Sequence, residues 1–267
     1  DYLEPPPGVL LITGSVDVQD DRLEVEILGW GVDEESWSLQ YRVIHGDPGT
    51  KEVWQDLDDV LEQFLTTTDN RQLRIECVCI DAGGHHAESV YTYTKGKQRK
   101  GRRVYAVRGY SQGWRPVISK PSMNNSHRVK VFYVGTDTAK DTIFSRLRLT
   151  EPGAGYCHFP AHYPDEYFTG LTSEKLVKRY QKGRTVKQYI KKTSSARNEP
   201  LDLRVYNLAA LKILNPNWQA LKLREVAKAR KNPPPDKSAP VHTATEKPPN
   251  PPKKSKRGRG GFVNRWR

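Results

Sequence analysis

The spacing of hydrophobic and polar positions changes repeatedly along the first 215 residues, and the changes predict an alternating α/β chain. Short apolar runs and strict alternation are typical of strands, whereas apolar positions three and four residues apart are typical of helices. Residues 150–197 contain short strands and loops in this interpretation. The predicted strands are 9–18, 23–30, 36–44, 73–81, 103–108 and 128–136, and the predicted helices are 51–65, 86–94, 137–149 and 201–214.

The first strand contains an acidic residue, Asp17, in an otherwise apolar run. A buried carboxylate without a partner is costly, so such a residue is normally paired, hydrogen-bonded or bound to a metal. The second strand alternates apolar and polar residues in "LEVEIL", which predicts a half-buried strand.

Two further acids occupy comparable positions. Asp81 ends an apolar strand directly before "AGG", where the side chain emerges at the sheet edge and the glycines leave room for a ligand. Asp202 lies in the first turn of the mostly apolar helix 201–214. This order of elements and acids is the layout of the ribonuclease H-like fold. We therefore predict an α/β protein with a ribonuclease H-like mixed central sheet flanked by helices.

Three converging carboxylates suit phosphodiester hydrolysis. Two hard cations about 4 Å apart activate a water and stabilise the leaving alkoxide, and such cations prefer carboxylate oxygens. Packed carboxylates repel one another when no metal is bound. A structural role is also open at this point, because strand-end Asp residues often cap turns and Asp202 could favour its helix N-terminus.

Charge is concentrated at the C-terminal end of the chain. Residues 231–267 contain ten Lys or Arg against two acids, which is +8 of the formal net charge of +13 and leaves +5 for the first 230 residues. Eight prolines and few apolar residues in this segment predict a disordered basic tail. The overall basic balance favours a polyanionic partner, most often nucleic acid.

The three cysteines predict neither a disulfide framework nor a metal site. Cys77 and Cys79 are two residues apart in an apolar strand, so they should face the same way and pack as small hydrophobic side chains. This usage fits a reducing compartment. The sequence has no stretch of the roughly 18 apolar residues that a membrane span needs, so no membrane partner is predicted.

Several sequence blocks recur in order across residues 10–215 and resemble one protein family. They are "SVDVQDDRLEVEILGWG", "EESW", "IDAGG", "GTDTAKDTIFSRL", "CHFP" and "RNEPLDLRVYNLAAL". Together they resemble the nuclease domain of the large terminase subunit of lambda-like tailed bacteriophages, the GpA family. The resemblance implies a ribonuclease H-like nuclease domain over 9–230 that cuts concatemeric double-stranded DNA during packaging.

The same resemblance implies a site and partners. It assigns catalytic and metal-binding roles to Asp17, Asp81 and Asp202, with Mg²⁺ or Mn²⁺ as the cofactor, as two ions. Viral double-stranded DNA, the small terminase subunit and the portal protein of the procapsid are the implied partners, in the cytoplasm of the infected host.

Family large subunits also carry an ATPase motor before this domain. No GxxxxGK[ST] motif occurs in the chain, so we expect no packaging ATPase activity from it. Residues 1–8, "DYLEPPPG", are interpreted as a linker from a missing N-terminal ATPase domain.

Four other residues are weaker candidates for the site. His85 and His86 follow Asp81 closely, but hard metals prefer oxygen, and both could simply begin a helix. Asp20 lies in the turn between the first two strands, where it forms the turn or supports the site from outside the metal shell. Glu199 precedes Asp202 by three residues and could provide a similar outer contact. These four are therefore possible outer-shell or DNA-contacting residues.

Two basic segments, 95–103 and 175–192, interleave Lys and Arg with Tyr and Val. A solvated hairpin or helix face explains them, and beside a phosphate-cleaving site contact with the backbone of duplex DNA explains them equally well. The end of the tail, "GGFVNRWR", adds apolar anchors. Phe262 and Trp266 are predicted to dock the tail into a protein groove, which the resemblance identifies as the portal.

The prediction is therefore a metal-dependent DNA endonuclease of a viral genome-packaging terminase. Two alternatives stay open on the residues alone. One is a catalytically silent module for DNA binding and portal docking, and the other is a resolvase- or transposase-type nuclease on the same fold.

Overall fold

A mixed sheet with helices on both faces organises the chain in a computed structural model, which describes residues 4–110, 114–181 and 183–231. The strands are β1 Leu11–Val18, β2 Arg22–Trp30, β3 Ser36–His45, β4 Phe64–Thr66, β5 Gln72–Asp81, β6 Val104–Gly109, β7 Ser122–Asn124, β8 Val129–Val134, β9 Cys157–His158, β10 Glu174–Gln181 and β11 Arg184–Lys191. The helices are α1 Glu52–Leu61, α2 Ala87–Arg99, α3 Thr136–Arg146, α4 Asp165–Leu171, α5 Glu199–Leu214 and α6 Trp218–Lys231.

Strand order in the sheet, within the described residues, is β7-β8-β6-β5-β1-β2-β3-β9, and β4 pairs with β5. The first three strands form an antiparallel meander, and the turn between β1 and β2 is closed by a backbone bond from Gln19 N–H to Arg22 O. β5, β6 and β8 then follow parallel to β1 on its other side. The topology therefore places the carboxyl ends of β1 and β5 next to each other in the middle of the sheet.

Each face of the sheet carries its own apolar core. Alternation along β1 sends Ile12 and Val16 to the face covered by α1 and α2. The opposite face packs against α3, α4 and α5, and Leu201, Val205 and Leu208 of α5 are buried there. α5 runs across β1, β2 and β5 and is also covered by α3 and α4, so it is buried on nearly all sides.

Several predicted elements are confirmed closely. β1, β2, β3, β5, β6, β8 and α5 match within a few residues. α5 ends at Leu214 as predicted, and its cap residue Asn215 takes a left-handed conformation (φ 43°) directly before Pro216. Cys77 and Cys79 are both buried on the α5 face, as their spacing indicated.

Other boundaries were wrong. The helix predicted over 51–65 ends at Leu61, and Leu65 instead pairs with Leu73 in the β4–β5 hairpin. The helix predicted over 86–94 continues to Arg99, while the one over 137–149 stops at Arg146. Local spacing did not resolve the end of the first helix because pairing of β4 with β5 overrides it.

The region predicted to contain short strands and loops holds more structure than expected. It contains α4 and the β10–β11 hairpin, whose two strands are eight residues each. Helix α6 was not predicted from the sequence. Residues 4–8, interpreted above as a linker, lie against the loop after β4, where Thr68 N–H donates to Pro5 O and Arg71 donates to Pro7 O.

Candidate active site

Asp17 lies on the same face of β1 as Thr13 and Ser15, because side chains two residues apart on a strand point the same way. That face is the one covered by α5. Both of those neighbours bond Asn207 of α5, through Thr13 Oγ1 to Asn207 Oδ1 (2.7 Å) and from Asn207 Nδ2 to Ser15 Oγ (2.7 Å). Asp17 itself is 5 % exposed and accepts a 2.5 Å bond from Gln19 Nε2. The strand therefore presents a buried carboxylate to the first turns of α5.

Asp81 is the last residue of β5 and lies on the same face. Val16 pairs with Ile80 in the parallel β1–β5 register, so the next residues on the two strands, Asp17 and Asp81, are neighbours. Asp81 Oδ1 accepts the backbone N–H of Gly83 (3.0 Å), and the side chain also interacts with the hydroxyl of Tyr206 from α5. Gly83, two residues after Asp81, thus supplies a backbone donor to the carboxylate.

Asp202 comes to the same place from the first turn of α5. Its Oδ2 accepts a bond from Asn198 Nδ2 (2.8 Å), and its Oδ1 lies 3.3 Å from Lys140 Nζ of α3. Burial raises the pKa of Asp202 to about 6, although the Lys140 charge pulls it down. Negative charge on Glu174 and Asp81 adds to the increase.

The three carboxylates act on one another electrostatically. Burial raises the pKa of Asp17 well above its usual range, and the charges of Asp202 and Asp81 raise it further. Burial also raises the pKa of Asp81, while the Gly83 N–H and the Tyr206 hydroxyl oppose that change. Burial raises the pKa of Tyr206 strongly, and the charges of Asp81, Asp202 and Asp17 add to it. The structure therefore brings all three predicted acids together around one tyrosine.

The donor set fits a hard divalent cation in chemistry, because it consists of carboxylates whose mutual repulsion a cation would relieve. The side chains are not arranged as a ready cage. Among the described residues, no group of three or more His, Cys, Asp or Glu side chains is placed to hold a metal ion. Oxygens of Asp17 and Asp202 are instead engaged by Gln19, Asn198 and Lys140. Metal binding here would need one or more of those partners to be displaced.

Sequence reasoning missed two buried acids beside this site. "LEVEIL" predicted a half-buried strand, but Glu24 and Glu26 of β2 are both completely buried, so that prediction was wrong. Glu24 is bonded by Arg22 Nε (2.8 Å) and Arg197 Nη2 (2.5 Å). The polar face of β2 is covered because α5 packs on it and Tyr167 of α4 reaches Glu26, and the arginines compensate the buried charge.

Glu26 is satisfied by a second set of donors. The hydroxyl of Tyr167 donates to it (2.5 Å), Asn207 Nδ2 donates from 3.3 Å, and Arg204 Nε lies 3.5 Å away. Arg204 also donates to Ser38 Oγ (2.6 Å). The sequence did carry a signal, since an Arg and an Asn inside the apolar helix 201–214 need buried partners.

The weaker candidates separate into two places. Asp20, His85 and His86 do come together, with His85 Nδ1 at 3.4 Å and His86 Nε2 at 3.7 Å from Asp20 Oδ1. The side chains of Asp20 and His85 are 78 % and 89 % exposed, so this group lies on the rim. Glu199 lies closer to the three acids, and its charge helps to raise the pKa of Asp17. It also pairs with Arg22 and Arg197.

Comparison with known proteins identifies the family of the chain. Residues 4–223 match the family model described as terminase large subunit gpA, endonuclease domain. The chain belongs to this family. It is 34 % identical over 227 residues to the large terminase subunit of Escherichia phage lambda, covering 82 % of this chain and 35 % of that protein. It is 32 % identical over 233 residues to the large terminase subunit of Enterobacteria phage P21, covering 84 % of this chain and 36 % of that protein.

The gpA-type endonuclease domain thus spans about a third of the length of the curated relatives that it matches. No solved structure gives a significant match. Within the part of the chain that the structure describes, no helix is long and apolar enough to cross a membrane. Phe262 and Trp266, predicted to dock the portal, lie outside the described residues.

Replacing Asp17 with Asn should stabilise the metal-free protein above neutral pH. An acid whose folded-state pKa is raised binds protons more readily in the folded state, so its contribution to the free energy of unfolding falls as pH rises. We expect Asp17→Asn to melt higher than the wild type at pH 8 in EDTA, with the difference shrinking as the pH falls toward 4.

Differential scanning calorimetry across this range measures the effect. Asp56→Asn, a change of an exposed carboxylate on α1, is the matched control and should show no such pH-dependent gain. A wild type that melts higher than Asp17→Asn at pH 8 in EDTA would contradict the claim of carboxylate repulsion.

Proposed function

We propose that this gpA-type endonuclease domain is the metal-dependent nuclease of a viral DNA-packaging terminase and that it hydrolyses phosphodiester bonds of concatemeric double-stranded DNA. The observation that carries the proposal is the meeting of Asp17, Asp81 and Asp202, from two adjacent strands and the helix across them. Placing a buried Asp17 beside the half-buried Asp81 and Asp202 is costly, and structural stability alone does not require it. A cation-binding role explains it.

The proposal includes a ribonuclease H-like arrangement of the sheet. It is supported by the antiparallel meander of β1, β2 and β3, by the parallel pairing of β5 and β6 beyond β1, and by the helix α5 that packs on these strands. The acids lie on the first strand, on the end of the first parallel neighbour and on that helix, in agreement with the layout expected from the sequence.

In this proposal Asp17, Asp81 and Asp202 hold Mg²⁺ or Mn²⁺, as a pair of ions. When bound, such ions lower the pKa of an attacking water and stabilise the leaving oxygen. The protein contributes orientation. Gly83 and Tyr206 fix the carboxylate of Asp81, and Asn198 fixes that of Asp202.

Contact with DNA is assigned to the β10–β11 hairpin, which corresponds to the basic segment 175–192. Its cross-strand pair Lys178 and Lys187 is exposed, as are Lys175 and Arg179. Tyr180, near the end of β10, is 77 % exposed. A two-stranded basic ribbon with an exposed aromatic suits phosphate contacts that are independent of sequence.

The other basic segment, 95–103, largely belongs to α2, where Lys97 is buried in an ion pair with Glu62 (2.8 Å).

The remaining partners are proposed from the relatives. Large terminase subunits of lambda and P21 are several times longer than this match, so the small terminase subunit and the portal are partners of the complete protein in this proposal. We assign portal docking to the basic tail through Phe262 and Trp266, and the site of action to the cytoplasm of the infected host.

One observation favours the alternative of a catalytically silent DNA-binding module. Lys140 and Asn198 engage both oxygens of Asp202, and no ready metal cage exists among the described side chains. A domain of this kind would bind DNA through the hairpin and cut nothing. A DNA cleavage assay distinguishes the nuclease from the silent module.

Plasmid nicking tests the proposal directly. The protein should convert supercoiled plasmid to nicked and linear forms in millimolar Mg²⁺ or Mn²⁺ and should fail in Ca²⁺, whose looser coordination does not give the required geometry. Asp17→Asn and Asp81→Asn should each lower the rate at least about a hundredfold, since each removes a charge that holds the ion.

Asp56→Asn, with its exposed carboxylate on α1, is the control and should cut at the wild-type rate. Cleavage that persists in excess EDTA, or Asp17→Asn activity within a few-fold of wild type in a folded protein, would exclude the proposed chemistry. No cutting by wild type in either metal would favour the silent module.

Charge reversal on the hairpin tests the DNA contact. Lys178→Glu combined with Lys187→Glu should weaken duplex binding uniformly across sequences and reduce the slope of log affinity against log salt by about two, because two phosphate contacts are lost. Fluorescence anisotropy at several salt concentrations measures both quantities. Lys51→Glu combined with Lys222→Glu, at exposed lysines outside the hairpin, makes the same change in net charge and is the control, which should keep the wild-type slope. An unchanged slope in the hairpin variant would refute the assignment.

A further inference from the structure

One lysine lies between a carboxylate of the candidate site and a carboxylate of the hairpin. Lys140 Nζ on α3 is 3.3 Å from Asp202 Oδ1 and 2.8 Å from Glu174 Oε1, and Glu174 is the first residue of β10. Both Lys140 and Glu174 are buried. The lysine therefore joins the root of the proposed DNA-binding hairpin to the candidate metal ligand on α5.

Asn198 also links Glu174 to Asp202. Its Nδ2 donates to Glu174 Oε1 (3.0 Å) and to Asp202 Oδ2 (2.8 Å). The ammonium of Lys140 is a cation held within 4 Å of two carboxylates, in surroundings where charges act strongly on each other. At Asp202 it already supplies the positive charge that a divalent cation would supply.

We propose that Lys140 is a positioning residue that competes with the divalent cation for Asp202, and that Glu174 opposes this competition by holding the lysine toward the hairpin. The inference rests on the metal-dependent function proposed above. It gives opposite signs to two residues in direct contact: the lysine weakens metal binding and the glutamate strengthens it. Movement of the hairpin root on binding DNA would then change how readily Asp202 accepts metal.

A purely structural role makes a different prediction. If the Lys140–Glu174 pair only fastens the hairpin to α3, loss of either charge removes a buried ion pair and lowers the melting temperature. Metal affinity would then be unchanged, or would fall in both variants together. The direction of the change in metal affinity therefore distinguishes the two roles.

The chain provides a matched control in Lys97. That lysine is also buried and also bridges two carboxylates, with Asp58 at 2.7 Å and Glu62 at 2.8 Å. It lies on α2, which packs on the opposite face of the sheet from α5. Lys97→Met therefore reproduces the loss of a buried lysine without touching the carboxylates of the candidate site.

The experiment is a titration of the full chain with MnCl₂ by isothermal titration calorimetry, with free Mn²⁺ counted in parallel by its electron paramagnetic resonance signal. The dissociation constant should fall roughly tenfold in Lys140→Met, a modest part of the repulsion that a nearby unit charge exerts on a divalent ion. The dissociation constant should rise several-fold in Glu174→Gln. The neutral amide still accepts hydrogen bonds but no longer attracts the ammonium, so Lys140 stays closer to Asp202. Lys140→Arg keeps the charge and should stay close to the wild type, and Lys97→Met should not change it.

Melting temperatures recorded on the same samples confirm that each variant is folded at the temperature of the titration. Opposite shifts in Lys140→Met and Glu174→Gln support the inference. Shifts of the same sign, or no shift in either variant while the wild type binds Mn²⁺ saturably, overturn this inference and leave the proposed nuclease standing. No saturable Mn²⁺ binding by the wild type overturns both.

Discussion

The mutual repulsion of three carboxylates, one buried and two half-buried, on one face of the sheet is the constraint that the candidate site has to meet. Asp17, Asp81 and Asp202 meet where β1 and β5 end beneath the first turn of α5, and each is buried enough for its pKa to be raised. Such a group can persist only if donors from the surrounding structure hold it. The donors come from the helix, from the strand-end glycine and from Lys140.

The same helix satisfies the neighbouring acids. α5 carries Asp202, Arg204, Tyr206 and Asn207 within two turns, and each of them bonds or pairs with a residue of another element. Polar groups buried at this density need nearly complete satisfaction, because a half-satisfied network costs more than an apolar core. α5 is therefore both the central core helix and the support of the candidate site, which explains why so few of its positions are exposed.

Local sequence information was sufficient to predict the parts of this arrangement that depend on residues close together in the chain. The strand character of β1 and β5, the helix start before Asp202 and the direction of Cys77 and Cys79 all follow from residue spacing. The three acids of the site were identified from their positions at strand ends and at a helix start, and the family resemblance supported them. Their convergence, however, depends on the parallel pairing of β1 with β5 and on α5 crossing both.

The residues that were missed owe their roles to long-range contacts. Lys140 and Glu174 are ordinary charged residues in sequence, and they meet Asp202 because α3 and the β10–β11 hairpin both pack near the start of α5. The burial of Glu24 and Glu26 likewise results from the helices that cover β2. Alternation along a strand shows which residues share a face, but it does not show what covers that face.

The location of a bound divalent ion tests the central claim most directly. Crystals of the full chain soaked in MnCl₂ should show anomalous scattering density within coordination distance of Asp17, with Asp81 and Asp202 as the other protein ligands and Lys140 displaced from Asp202. Density at the exposed Asp20–His85–His86 group alone, or an undisturbed Lys140–Asp202 pair with no density between the three acids, would contradict the account.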